Sequence, residues 1–397
     1  MNIFSKIWCR AYQGVFKIAM PLLPYREPQV LESVLKIKEV LKEKNITKVL
    51  LVTDSGVKKL TKSLVDDLKE NEITPVVFDN VMPNPTISVI EEGLKVYLKK
   101  ECQGIIAFGG GSVMDTAKVI GARVVKPKKS VKKMKGLLKV RKELPILIAV
   151  PTTAGTGSET TIAAVITDEE SKRKYPINDF SLIPHFAVLD ASLTLGLPQG
   201  LTATTGMDAL THAVEAFIGR STTKDTRLNA LNAAKLIIEN ITKVYDDGSN
   251  ERARGHMLKA SYMAGLAFTK SYVGYVHAIA HSLGGEYHTP HGLANAVILP
   301  YVLGVYGKSI HSKLKTMAVF CGVAKQYDSD EIASNKFINK IIEINEYMGI
   351  PKKFDCIKSE DIKKLAKNAS REANPLYPVP KLLSAKELEK IYYNLQA

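Results

Sequence analysis

Half of the eight histidines in this chain lie within fifteen residues of one another, in the stretch VHAIAHSLGGEYHTPHG. They are His277, His281, His288 and His291. Histidine is the commonest metal ligand, and it is the side chain whose charge changes most readily near neutral pH. Such a cluster therefore indicates a metal site or a site of proton transfer.

A second pair of ligand-type residues lies upstream, where GMDALTHAVEAF contains Asp208 and His212. Residues four apart share one face of a helix, so this carboxylate and imidazole can reach one ion. His277 and His281 repeat the spacing. Spacing alone leaves open which cluster histidines bind metal, because a single histidine is more often a hydrogen-bonded core or surface residue.

Two small, polar loops each follow an apolar run, GGGS at 109–112 and PTTAGTGSE at 151–159. Glycines let the backbone approach a ligand, and the free N–H groups of a helix start favour an anion such as a phosphate. The first loop does not match G-x-G-x-x-G, and a strand–helix turn without a ligand is its alternative. Together the two loops predict a dinucleotide site whose candidate contacts are Gly109, Gly110, Gly111, Ser112, Thr152, Thr153 and Thr156.

Asp54 ends the apolar run KVLLVTD. A carboxylate at this place can accept hydrogen bonds from an adenosine ribose and would repel a 2′-phosphate. It can equally cap the helix that follows. The residues themselves leave both interpretations open.

Apolar runs and helical patterns alternate from about 46 to 190, which predicts a parallel sheet with helices on its faces. Beyond "LGLPQG" the pattern becomes helical throughout, as in 201–219, 227–242 and 253–269. We therefore predict an α/β, Rossmann-like nucleotide-binding domain over 1–195 and an all-α, metal-binding domain over 196–397. The site is expected in a cleft between them.

Composition narrows the class of protein. The chain has 397 residues, of which 45% are hydrophobic and 24% charged, as in folded soluble proteins. Four widely spaced cysteines without a C-x-x-C pair fit a reducing compartment, so we expect a cytoplasmic protein. No apolar run is long enough to span a bilayer, and no stable membrane insertion is expected.

The net charge of +15 is partly local, because residues 126–142 hold nine Lys/Arg and no acid. This lysine run is expected to be a solvated loop or hairpin. A docking patch for a polyanion is the alternative, but no aromatic residue alternates with the lysines, and we expect no nucleic-acid partner.

Residues 1–28 form an N-terminal extension with an apolar stripe. Its spacing of three and four residues, from Phe4 to Ala19, predicts an amphipathic helix. We expect this stripe to pack on the protein itself or on a second subunit, in preference to a membrane surface.

Four segments, GGGSVMDTAK, PTTAGTGSE, GMDALTHAVEAF and VHAIAHSLGGEYHTPHGLANAVILP, resemble those of the iron-containing (group III) alcohol dehydrogenases. The resemblance runs from about residue 30 to the C-terminus and implies the dehydroquinate synthase-like fold. It places one divalent ion, Fe²⁺ first and Zn²⁺ second, on Asp208, His212, His277 and His291. It also places His281 beside the substrate as a catalytic proton relay and leaves His288 without a role.

The same resemblance places the pyrophosphate of NAD(H) on the glycine loop and the nicotinamide near the threonine-rich loop. It completes the cofactor contacts with Asp115, Thr161 and Lys174. The N-terminal extension and the lysine run match no family segment. A homo-oligomer is expected.

The predicted activity is hydride transfer between NAD(H) and a small primary alcohol or aldehyde, assisted by the metal. A zinc-dependent glycerol dehydrogenase or dehydroquinate synthase of the same fold is the nearer alternative. A basic protein that binds nucleic acid or a membrane surface on an inactive scaffold is the remote one, and an intact set of candidate ligands argues against it.

Overall fold

The computed structural model describes residues 1–171 and 173–397. They form two compact units, one made of Pro24–Leu197 and one made of Met1–Leu23 together with Pro198–Ala397. The first is α/β and the second is helical, which confirms the predicted fold class. The first 23 residues, assigned above to the N-terminal domain, group with the helical unit instead.

A six-stranded parallel sheet forms the centre of the α/β unit, in the order β1-β9-β6-β4-β2-β3. A smaller sheet has the order β5-β8-β7. The strands are β1 (Gln29–Leu31), β2 (Lys48–Asp54), β3 (Thr74–Val81), β4 (Gly104–Gly109), β5 (Gly136–Leu137), β6 (Leu147–Pro151), β7 (Ala163–Asp168), β8 (Arg173–Asn178) and β9 (Phe186–Val188).

Helices cover both faces of the large sheet, which is why its central strands are apolar on both sides. Alternate residues of β2 enter separate cores, Leu50 and Val52 in one, Val49 and Leu51 in the other. The helices of this unit are α2 (Ile37–Glu43), α3 (Lys62–Glu70), α4 (Ile87–Lys99), α5 (Gly111–Val125) and α6 (Val131–Met134). Helices α4 and α5 enclose the first core, and α2 and α3 the second.

Strand register brings the two predicted loops together. Strands β4 and β6 are neighbours, and Gly109 pairs with Pro151 at their carboxyl ends. The glycine loop and the threonine-rich loop therefore leave the sheet side by side, where ligands of open parallel sheets bind.

The lysine run forms the short helix α6 and strand β5 rather than a hairpin. Val131, Met134 and Val140 are buried and attach the segment to the domain. Seven of its nine basic residues are exposed. The run is thus solvated, as expected, but it has a fixed apolar side.

The helical unit consists of α1 (Ile3–Ala19), α7 (Gln199–Ile218), α8 (Lys224–Asp246), α9 (Glu251–Ser271), α10 (Tyr275–Tyr287), α11 (His291–Tyr306), α12 (His311–Phe320), α13 (Asp330–Tyr347), α14 (Ile362–Ala373) and α15 (Ala385–Leu395). Helix α7 is buried along most of its length. Among the described residues no single helix is long and apolar enough to cross a membrane. One bent pair, His291–Ser309 with His311–Phe320, meets that test jointly, by length and composition alone.

Helix α1 packs on the helical unit through polar contacts. The Arg10 guanidinium donates to the carbonyls of Val379 at 2.7 Å and Pro380 at 2.9 Å. The buried Gln13 amide donates to the Tyr377 carbonyl at 2.7 Å.

Most of the apolar stripe of α1 faces solvent, so the expectation that it packs on its own subunit is wrong for these residues. We call the exposed set the outer face of α1; it comprises Ile3, Phe4, Ile7, Trp8, Val15 and Ile18, with Leu22 just beyond the helix. The helix itself is predicted correctly, with Asn2 capping its start by accepting a hydrogen bond from the Ser5 N–H.

Candidate functional site

Three helices bring the predicted metal ligands together. Asp208 and His212 lie one turn apart on α7, His277 lies in the first turn of α10, and His291 begins α11. Each side chain offers one ligand atom, and the four atoms lie within 4.8 Å of one another. The first three residues are buried and His291 is exposed, so the cluster reaches the protein surface at His291.

The spacing within the cluster fits a single ion. Asp208 Oδ1 is 3.6 Å from His291 Nε2 and 3.9 Å from His277 Nε2. Two donors at about 2.1 Å from a shared ion lie roughly 3 to 3.7 Å apart. The distance to His291 falls within this range, and the distance to His277 is a few tenths of an ångström above it. Three imidazoles and one carboxylate are a donor set suited to zinc or ferrous iron. Burial and the neighbouring histidines lower the pKa of His277 well below its usual value, which keeps the ring in its neutral, metal-binding form.

Glu215 is a functional residue that the sequence analysis missed. It lies on α7 one turn beyond His212 and is buried. Its carboxylate accepts hydrogen bonds from His277 Nδ1 at 2.7 Å, the Gly274 N–H at 2.7 Å and the Val276 N–H at 2.8 Å. The bond to Nδ1 fixes the proton there and directs the Nε2 lone pair into the cluster. Burial raises the pKa of Glu215 to about 7, against the opposing effect of these hydrogen bonds.

Asn295 is the second residue missed. It lies one turn beyond His291 on α11 and is fully buried. Its Nδ2 donates to Asp208 Oδ1 at 2.6 Å and lies 3.2 Å from His277 Nε2 and 3.1 Å from His291 Nε2. One amide thus contacts three of the four candidate ligands.

His281 lies beside the cluster, and its ring is partly exposed. It stacks on His291 with ring centroids 5.2 Å apart. Its Nδ1 is 2.6 Å from Glu372 Oε1, which also accepts the Tyr377 hydroxyl at 2.8 Å. His288 instead ends α10 in a left-handed backbone conformation. The two residues therefore differ in position, one near the cluster and one at a helix terminus.

In the glycine loop of the α/β unit, neighbouring side chains lie so close to the backbone that a larger residue would clash with them. A side chain at Gly109 would place its Cβ 2.6 Å from Val113, and one at Gly111 would place it 2.9 Å from Thr156. Gly110 faces Thr153, and the Oγ1 of Thr153 is buried without a partner among the described residues. Helix α5 begins at Gly111, so its first N–H groups, including that of Ser112, border the two loops. An orphaned hydroxyl beside a helix start fits a bound dinucleotide.

A buried lysine, also missed, ties the threonine-rich loop to α5. Lys118 Nζ donates to Ser158 Oγ at 3.0 Å, Thr161 Oγ1 at 2.9 Å and the Ala163 carbonyl at 2.9 Å. Asp115 accepts from Ser158 Oγ at 3.0 Å and from the Val165 N–H at 2.9 Å. Burial lowers the pKa of Lys118 to about 8 and raises that of Asp115. Asp115 and Thr161 thus lie in the network that supports the loop.

The remaining cofactor candidates are placed differently. Asp54 Oδ1 accepts from the Gly56 N–H at 2.8 Å and the Val57 N–H at 3.2 Å, so the residue does cap the following turn. Thr152 is buried directly after β6. Lys174 lies on β8 of the small sheet, opposite Thr167.

Comparison with known proteins identifies similar sequences over most of the chain. Residues 30–191 match the model of the iron-containing alcohol dehydrogenases, and residues 202–395 match that of the C-terminal part of the Fe-containing alcohol dehydrogenase family. A 1,3-propanediol dehydrogenase of Citrobacter freundii is 38% identical, covering 87% of this chain and 90% of that protein. An NAD-dependent methanol dehydrogenase of Bacillus methanolicus is 36% identical, covering 84% of this chain and 89% of that protein.

Solved structures agree with this similarity. The crystal structure of a 1,3-propanediol oxidoreductase superposes with a TM-score of 0.90 at 34% sequence identity. The match covers 94% of this chain and 99% of that one.

Proposed function

The chain belongs to the iron-containing alcohol dehydrogenase family, and from this premise we propose that it interconverts small primary alcohols and aldehydes with NAD(H). The observation that carries the proposal is the convergence of Asp208, His212, His277 and His291 on one point. A divalent ion held there supplies Lewis acidity to the substrate oxygen, and the nicotinamide supplies or accepts the hydride.

The residues around the cluster hold its ligands in their binding forms. Glu215 keeps the proton of His277 on Nδ1, and Asn295 fixes the carboxylate rotamer of Asp208. We assign Fe²⁺ as the first choice because the matching family is iron-containing, and Zn²⁺ as the second because the donor set suits both ions.

His281 is the proposed proton carrier. Its ring is partly exposed and lies against His291, so its Nε2 can pass a proton between the substrate oxygen and water. Glu372 holds Nδ1 at 2.6 Å and thereby orients the ring.

The cofactor is proposed to bind along the two loops of the α/β unit. Gly109–Ser112 would hold its pyrophosphate, and Thr152, Thr153 and Thr156 would border its nicotinamide. Asp54 accepts from the adenosine ribose through Oδ2, because Oδ1 is already engaged by two backbone N–H groups. Asp115 and Thr161 act by fixing the loop, and Lys174 on the small sheet is the remaining proposed contact.

Compartment and assembly are part of the same proposal. All four cysteines are free, three of them buried, as suits a reducing cytoplasm. We propose a homo-oligomer, as expected from the resemblance. The relatives named above act on short diols and on methanol by name, and a small primary alcohol is the substrate class that we infer for this chain.

Anaerobic reconstitution tests the function directly. Metal-free protein loaded with Fe²⁺ or Zn²⁺ is expected to oxidise NADH with short aldehydes, and glycerol oxidation with NAD⁺ is expected to be slower. The His277→Ala variant serves as the control without activity. Activity on glycerol alone, or equal rates with and without metal, would contradict the assignment.

A further inference from the structure

The outer face of α1 is an apolar surface that the protein leaves uncovered. Its seven large side chains, from Ile3 to Leu22, are each at least 60% exposed. Monomeric proteins rarely expose a contiguous apolar patch above a few hundred Å², and larger ones mark interaction sites. This face plays no part in the proposed chemistry, so its exposure calls for a separate partner.

The way α1 is attached keeps this face outward. Arg10 and Gln13 bond to backbone carbonyls of the segment 375–380, and Phe16 packs edge-on against Tyr272 with ring centroids 4.9 Å apart. These contacts fix the opposite side of the helix. Rotating α1 to bury its apolar side would break them, so the outward orientation is part of the fold.

Charge distinguishes the possible partners. The first acidic residue of the chain is Glu27, whereas α1 carries Lys6, Arg10 and Lys17. Lys6 and Lys17 are exposed and share the stripe of Gln13, so these two flank the apolar face along one edge. The Arg10 guanidinium, on the same stripe, is held by the Val379 and Pro380 carbonyls. Beside that edge a groove of about 670 Å³ is lined by Lys6, Arg10 and Lys381, with a single acid, Glu387, whose carboxylate accepts the Ser384 N–H.

We propose that α1 docks the enzyme on an anionic lipid surface, with its outer face in the acyl boundary and its basic edge at the phosphates. An amphipathic helix with basic residues beside a face rich in Trp, Phe and Ile is the form that lies in a membrane interface. Trp8 on the face and Tyr12 at its margin supply the aromatic rings that favour the headgroup level. A second copy of the same face would instead bring basic edges together without an acid on α1 to pair with them.

The chain offers an internal probe, because Trp8 is its only tryptophan. The full-length, metal-loaded protein is mixed with vesicles of phosphatidylcholine alone or of equal parts phosphatidylcholine and phosphatidylglycerol. We expect a blue shift of Trp8 emission and co-sedimentation with the anionic vesicles, both reduced by high salt. The paired substitution Phe4→Asp and Val15→Asp should weaken vesicle binding by at least about tenfold.

Two controls separate the outcomes. Ile332→Asp changes an exposed apolar residue on α13 and should leave vesicle binding unchanged. The paired α1 variant should retain the circular dichroism and the NADH-dependent activity of the wild type. Unchanged circular dichroism shows that the variant is folded, so a loss of vesicle binding is not a loss of folding. Because vesicle binding is measured separately from activity, its outcome does not depend on the proposed enzymatic function. No shift with anionic vesicles would overturn the proposal. A second set of results would also overturn it. In that case Trp8 emission is already blue-shifted without lipid, and in the paired variant the emission reverts and light scattering reports a smaller particle than for the wild type. These results would mean that a second copy of the chain covers the outer face of α1.

Discussion

The ligand cluster of the helical unit and the cofactor loops of the α/β unit are built by different means. In the cluster, individual polar side chains from separate helices hold one another, as Glu215 holds His277 and Asn295 holds Asp208. In the loops, the conformation depends on side chains that pack directly against the backbone, as Thr156 packs against Gly111. Removal of a ligand side chain is expected to abolish metal binding by the cluster, and removal of a supporting contact to weaken it. A change in a packed loop is expected to lower cofactor affinity without abolishing it. The predictions below test this contrast.

The largest effect is expected from His277→Ala. The substitution removes one of four ligand atoms that lie within 4.8 Å, so most bound metal and nearly all activity should be lost while the fold survives. Metal content by mass spectrometry and circular dichroism provide the measurements. Retention of full metal content would remove His277 from the ligand set.

A smaller loss is expected from Glu215→Gln. The amide keeps the size of the side chain but no longer provides a carboxylate to His277 Nδ1. Loss of such a supporting partner typically lowers metal affinity or activity by about 10- to 100-fold. Titration of the metal-free variant with Zn²⁺ measures it. A wild-type affinity would mean that Glu215 serves the backbone of 274–276 alone.

In the cofactor loops we expect a graded effect from Gly111→Ala. The added Cβ would lie 2.9 Å from Thr156 Cγ2, and overpacking of about 2 kcal/mol would raise the KM for NADH roughly thirtyfold. Thr156→Ser in the same chain removes Cγ2 and should restore much of the affinity. Gly196→Ala, with open space around it, is the matched control and should behave as wild type. Failure of the rescue would argue against direct contact between the loops.

Asp54→Gly should change the ratio of NADH to NADPH use by at least about tenfold, since a hydrogen bond to a charged group is worth roughly 1.5–3 kcal/mol. The substitution also removes the cap on Gly56 and Val57. Asp54→Asn retains an acceptor for both N–H groups and loses only the charge. If the NADH-to-NADPH ratio changes in Asp54→Gly but not in Asp54→Asn, the change comes from loss of the cap and not from loss of the negative charge.

The smallest effect is expected from the lysine run. Replacing Lys132, Lys133 and Lys135 with Gln changes exposed positions, and such changes usually alter stability by no more than about 0.5 kcal/mol each. Thermal unfolding and the KM for NADH are the measurements. A large rise in that KM would show that these charges reach the cofactor.

Local patterns account for what the sequence could predict. Strand ends, helix spacing and ligand-type residues mark Asp208, His212 and the two loops without knowledge of distant contacts. Glu215 follows the same helical face of α7, at positions 208, 212 and 215, so that pattern could have revealed it. Asn295 likewise follows His291 by one turn on α11, although its bond to Asp208 joins distant parts of the chain. Lys118 could not be assigned in this way, because its partners Ser158, Thr161 and Ala163 lie about 40 residues away.

The N-terminal helix illustrates a different limit. Its period of apolar residues correctly predicts a helix with one apolar side, but a period does not say which way that side faces. Contacts from Arg10 and Gln13 to carbonyls more than 360 residues away decide the orientation. Nothing in the local sequence encodes them.

The N-terminal helix is connected by hydrogen bonds to the residues around His281. Gln13 donates to the Tyr377 carbonyl, the Tyr377 hydroxyl donates to Glu372, and Glu372 holds the ring of His281. Removal of the first 23 residues would take away the donor to the Tyr377 carbonyl and uncover the segment 375–380. Tyr377 is two hydrogen bonds from His281, the residue placed beside the substrate. A start site chosen downstream of α1 would therefore change the enzyme being assayed.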